Sequence, residues 1–142
     1  MDFLKNIPDA LLAFFKDEPL VFVDVGAAGS LPWAWRSLAS RAVYVGFDPD
    51  ARERPVADTT GFREFHIVGK AIIDTDAAEA TFHLTASPQC SSLLRPHSEH
   101  LADYGFSDMF AVERTATVPA TSLSAVIRSL GLRGINWLKL DT

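Results

Sequence analysis

The sequence predicts an α/β fold, a doubly wound and mostly parallel sheet of strand order 3-2-1-4 with an antiparallel strand pair inserted into it. Three observations lead there. An apolar run from Leu20 to Val23 breaks abruptly into Asp24-Val-Gly26-Ala27-Ala-Gly29, as a buried central strand does when it delivers a tight loop. Two more strand-like runs, Ala42 to Phe47 and Glu64 to Val68, follow at intervals that leave room for crossover segments. A last run from Ile135 to Leu140 is preceded by a helical stripe and ends in Asp141, the pattern of a strand opening into the crevice of such a sheet.

The chain has 142 residues, 48% of them apolar, which suits one domain with a substantial core. Its 13 basic and 18 acidic residues give a net charge of −5. No basic run is interleaved with aromatics, so nucleic acid is not expected as a partner. The single cysteine, Cys90, makes neither an internal disulfide nor a zinc site and fits a reducing cytoplasm. Met1 to Phe15 carries Asp2 and Asp9 and no basic n-region, and no apolar run approaches the ~18 residues of a membrane span. Neither a signal peptide nor a membrane partner is expected.

Within residues 1–18 the spacing of Leu4, Ile7, Leu11, Phe14 and Phe15, begun by Asn6 as N-cap, predicts an amphipathic helix that Pro19 ends. The first strand follows. Gly26 and Gly29 allow a tight turn and close approach of a ligand, while the next helix would offer unpaired N–H groups. A dinucleotide loop has glycine where this chain has Asp24, because the loop receives a doubly negative pyrophosphate. A carboxylate repels that group and attracts the ammonium and sulfonium of S-adenosylmethionine. S-adenosylmethionine is therefore the favoured cofactor and NAD the alternative, with a purely structural turn as the bland reading.

After Gly29, Leu31, Trp35, Leu38 and Ala42 recur at helical intervals and predict a crossover helix. Trp33 lies about 200° round such a helix from Trp35, so it needs another partner. The second strand ends in Asp48-Pro-Asp50, and Asp48 follows Gly29 by 19 residues, the spacing of a carboxylate that accepts both ribose hydroxyls. Residues 51–58 read as a weak helix or loop broken by Pro55. Beyond the third strand, Gly69 to Asp74 leads toward the crevice, where Ala71 and Ile72 are candidates to sandwich an adenine.

Ala80 to Thr85 and Val112 to Val118 alternate with period two and predict the inserted strand pair. The long connection between them, residues 86–109, reads as a lid or acceptor loop with Ser91, Ser92, Arg95 and His97 as candidate substrate and catalytic contacts. Thr121 is the expected N-cap of a helix whose stripe is Leu123, Val126, Ile127 and Leu130, with Gly131 ending it. His66, His83, His97, His100 and Asp141 are chemically eligible as a base, and Asp141 and His97 are the best placed. No metal-ligand spacing stands out.

Four segments taken together resemble the FkbM family of S-adenosylmethionine-dependent methyltransferases: Phe-Val-Asp-Val-Gly-Ala-Ala-Gly, Val-Gly-Phe-Asp-Pro-Asp, Cys-Ser-Ser-Leu-Leu-Arg-Pro and Trp-Leu-Lys-Leu-Asp-Thr. The resemblance runs from Val21 to the end. It implies a Rossmann-like class I methyltransferase fold and O-methylation of a hydroxyl on a sugar or secondary metabolite, hence a small-molecule or glycan acceptor. Asp24, Gly26, Ala27 and Gly29 fall on the cofactor loop, and Asp48 on the ribose position. The family pattern continues past the final aspartate into Gln-Gly and further strands, whereas this chain reads Asp141-Thr142; Ser124 also stands where an acid is common. The expectation is a C-terminally incomplete domain with an open sheet edge for a homodimer or partner chain. A non-catalytic cofactor-binding module is the competing reading.

Overall fold

The computed structural model describes residues 13, 15, 17–29, 31, 33–52 and 61–141. The expected leading helix lies almost wholly outside the described residues, as do residues 53–58 of the stretch after Asp50. The described strands are β1 (Leu20–Val25), β2 (Ala42–Phe47), β3 (Glu64–Val68), β4 (Ala71–Ile72), β5 (Glu79–Thr85), β6 (Val112–Thr121) and β7 (Trp137–Leu140).

β3, β2, β1 and β7 form a four-stranded sheet in that order, and every pairing in it is parallel. The period-two alternation of β1 and β2 divides their side chains between two covered faces. On one face Val21, Val23, Val25, Val43, Val45 and Phe47 meet Val126 and Ile127 of the later helix. On the other, Phe22 and Tyr44 pack with Trp35, Ala39 and Phe62. Ring centroids of 5.1 Å for Phe22 and Trp35 and 4.8 Å for Tyr44 and Phe65 give this face an aromatic character. β7 pairs only with β1 among the described residues and leaves Trp137, Leu138 and Leu140 exposed.

The segment linking β1 to β2 differs from the expected α-helix: Trp33–Arg41 winds as a 3-10 helix. Trp33, Trp35, Ser37 and Ser40 are middling helix formers, so intrinsic propensity does little to hold an α-helix here. Trp35 and Ala39 reach the sheet, while Trp33 is 75% exposed.

β5 and β6 pair antiparallel, as expected from their alternation. An addition not read from the sequence is β4, which pairs parallel with β6 and completes a mixed sheet of order β4-β6-β5. Only Gly69 and Lys70 separate β3 from β4, so the mixed sheet begins where the parallel sheet ends. Residues 86–111 carry a 3-10 turn at Pro88–Cys90, a short helix α1 (Ser98–Leu101) and a second 3-10 turn at Ser107–Phe110.

The helix before β7, α2 (Leu123–Ser129), is capped by Ser122 rather than Thr121, its hydroxyl accepting from Ala125 N–H at 3.3 Å. Thr121 is held in β6 instead. At the other end Gly131 (φ +68°) and Leu132 donate to the Arg128 and Ile127 carbonyls, which satisfies the last turn in the Schellman manner. No helix among the described residues is long and apolar enough to cross a membrane.

Candidate functional site

A cleft of about 280 Å³ opens at the C-terminal ends of the parallel strands, where Val25, Phe47, Asp48, Leu140 and Asp141 converge. That is where open α/β sheets bind their ligands. Its second wall comes from the mixed sheet through Ala71, Ile72 and Phe82, and its third from the loop that includes Gln89, Ser92 and Leu93.

Gly26 is the tightest point. Its φ is +81°, and a Cβ there would collide with the backbone carbonyl of Asp141, so neither conformation nor space admits a side chain. The amides of Gly26 and Ala27 both donate to the Phe47 carbonyl, at 2.9 and 3.0 Å. The loop is thus tied to the end of β2, and Ala27 is buried beneath it. Gly29 (φ +77°) sits at the exposed rim, where an added Cβ would come no nearer than 3.9 Å to the Gln89 side chain.

Asp24 does not face the cleft. It is buried on the aromatic side of the sheet, opposite Lys139 in the β1–β7 register, and the Lys139 ammonium lies 2.8 Å from its carboxylate. The Tyr44 hydroxyl donates to the same group at 3.2 Å. Gly46 makes that possible, since a Cβ there would come within 2.8 Å of the Tyr44 ring and hydroxyl. Lys139 also approaches Asp141, at 3.4 Å, and the Gly26 carbonyl, at 3.4 Å. Burial alone would lower the lysine's pKa, but the bonds and charges of Asp24 and Asp141 outweigh it and raise the value. Burial, then the charge and hydrogen bond of Asp24, push the Tyr44 hydroxyl well above its ordinary range, so it remains a neutral donor.

Asp48 is buried in the cleft wall, and its carboxylate accepts from Asp50 N–H at 2.8 Å. Asp50 repeats the turn, accepting from Arg52 N–H at 3.0 Å. The Arg52 guanidinium grips the buried Asp50 carboxylate through Nε at 2.9 Å and Nη2 at 2.6 Å. Burial raises the Asp50 pKa, and the Arg52 bonds together with the charges of Arg52 and Arg114 more than reverse it, so the group titrates below the usual carboxylate range.

Of the expected contacts, Ser92, Ala71, Ile72, Asp48, Gly26 and Asp141 all line the cleft. Ser91 borders it, but its hydroxyl is engaged by Thr85 N–H at 3.0 Å and by Arg52 Nη2 at 3.0 Å. Arg95 and His97 are not brought there. Pro96 and the start of α1 turn the chain away, leaving Arg95 beside a separate surface hollow. His97 caps α1 by accepting from His100 N–H at 3.4 Å and stacks on His100 at 3.8 Å between ring centroids.

Residues missed from the sequence are Lys139, Tyr44, Arg52, Gln89 and Lys70, the last two lining the cleft. One signal was present: Asp24 and Lys139 are lone opposite charges in two apolar strands, and a charge buried in such a strand requires a partner. Among the described residues no group of three or more His, Cys, Asp or Glu side chains is placed to hold a metal ion. Comparison with protein family models, with curated proteins and with solved structures returned no match.

Proposed function

We propose that the cleft binds S-adenosylmethionine and that the chain serves a Rossmann-like, FkbM-type methyltransferase acting on a hydroxyl of a sugar or other small acceptor. The observation that carries this reading is the use made of the Gly loop. The amides of Gly26 and Ala27 are occupied by the Phe47 carbonyl, so they are not offered to a pyrophosphate, which needs such donors. The basis for preferring S-adenosylmethionine to NAD therefore moves from Asp24, whose charge Lys139 balances, to the loop amides and to the acids Asp48 and Asp141 in the cleft.

The residues fit the group. Asp48 in the cleft wall, as an acceptor for ribose hydroxyls, and Ala71, Ile72 and Phe82, as an apolar slot for a base, support the reading. The cofactor supplies an electrophilic methyl on sulfur; the protein aligns an acceptor oxygen with it, excludes water and removes the hydroxyl proton. In this reading that proton passes to Asp141, which lines the cleft and whose side chain is 76% exposed. Lys139, with its raised pKa, stays an ammonium and steadies Asp141 rather than acting as a base. Calorimetric titration of the purified chain with S-adenosylmethionine and with NAD tests the reading: binding of the first alone is expected, and binding of NAD alone overturns it.

A further inference from the structure

We infer that Arg52 is the positioning residue of this cleft, joining the ribose-side carboxylate to the loop that forms the opposite wall. The inference rests on the proposed cofactor site for its ligand, but not for its geometry. On one side Arg52 holds Asp50, whose N–H in turn fixes the Asp48 carboxylate at 2.8 Å. On the other side Nη1 donates to the Thr85 carbonyl at 3.0 Å and Nη2 to the Ser91 hydroxyl at 3.0 Å.

The Ser91 hydroxyl also receives the Thr85 N–H at 3.0 Å, and the Thr85 hydroxyl donates to the Ser87 carbonyl at 2.7 Å. Ser87 and Ser91 bracket the turn Pro88–Cys90, which carries Gln89 into the cleft. One guanidinium therefore sets three things at once: the direction of Asp48, the end of β5, and the anchor points of the loop. The planar fork matters. Arginine can hold a carboxylate with two N–H groups and still extend donors to other acceptors, whereas a lysine ammonium acts as a point charge on a flexible stem.

Two features separate this role from general stabilisation. Arg52 bonds to Asp50, Thr85 and Ser91, none of which lies in a strand of the parallel sheet, so its loss should loosen the turn without opening that sheet. Ser91 and Arg52 also share one contact, so the loss on substituting both should fall short of the sum of the two single losses.

The test compares wild type, Arg52→Met, Arg52→Lys, Ser91→Ala and the Arg52→Met/Ser91→Ala double variant. Amide hydrogen exchange on the unliganded proteins should quicken across residues 85–94 in Arg52→Met while β1 and β2 remain protected as in wild type. Titration with S-adenosylhomocysteine should show Arg52→Met weakened at least about tenfold, as for loss of one charge-assisted hydrogen bond. The lysine variant should recover only part of that, and the double variant should lose less than the sum of the Arg52→Met and Ser91→Ala losses, whereas a full sum overturns the shared contact. Unchanged exchange across 85–94, or equal quickening throughout the sheet, overturns the inference. If wild type binds no S-adenosylhomocysteine, the proposed cofactor fails, and the exchange pattern still decides whether Arg52 holds the loop.

Discussion

At the scale of single residues, two glycines that look alike in sequence differ in what they tolerate. Both have positive φ, which costs a non-glycine residue ~1–2 kcal/mol. Only Gly26 also has a carbonyl where a Cβ would go. Gly26→Ala is therefore expected to lose more than about 3 kcal/mol in urea unfolding, and Gly29→Ala about 1–2 kcal/mol. The Asp24–Lys139 pair gives a second contrast. Removing one partner of a buried pair costs ~3–5 kcal/mol; with Lys139 30% exposed, Lys139→Met should cost somewhat less, about 2–4 kcal/mol. Adding Asp24→Asn should recover part of the loss, because it removes the stranded charge. A double variant no more stable than Lys139→Met would show that the pair is not what holds this part of the sheet.

At the scale of elements, the strands were legible because apolar continuity and period-two alternation are local properties. The order of the parallel sheet followed from them with the usual handedness of crossovers. Two-residue β4 was not legible, since nothing in Ala71-Ile72 distinguishes a strand from a loop, and its partner lies in β6 far along the chain. The lining of the cleft was legible where a residue follows a strand end, as Asp48 and Asp141 do, and not where a side chain's partner lies far along the chain. Asp24 falls on the aromatic face with Phe22 by the alternation of β1, and the Lys139 that partners it there lies 115 residues later. Ser91 likewise turned from acceptor contact to anchor because Arg52 and Thr85 claim its hydroxyl.

The tail of β2 carries a pH signature. Asp50 has its pKa lowered in the folded state, so its contribution is fully present above the unfolded value of ~3.9 and is lost as pH falls through the folded value. Wild type should therefore lose stability more steeply than Asp50→Asn below about pH 4, as measured by urea unfolding at a series of pH values. Parallel pH profiles for the two proteins would contradict the Asp50–Arg52 linkage.

For the whole molecule, the two sheets divide the labour. The parallel sheet brings the Gly loop, Asp48 and Asp141 to one edge, and the mixed sheet with the loop at 88–94 closes the cleft over them. A ligand held between both bodies should stabilise the fold as a unit, by about 2.7 kcal/mol at a concentration one hundred times its Kd. Thermal unfolding with and without S-adenosylhomocysteine reads that coupling, and no shift at saturation would argue against a site built from both sheets.

The most direct measurement is a calorimetric titration of S-adenosylhomocysteine into wild type and folded Asp48→Ala side by side. If Asp48 binds the ribose as proposed, losing its charge-assisted hydrogen bonds weakens binding by roughly 1.5–3 kcal/mol, about 10- to 150-fold in Kd. Equal affinity in the two proteins, or no binding to wild type, would contradict the assignment of this cleft to S-adenosylmethionine.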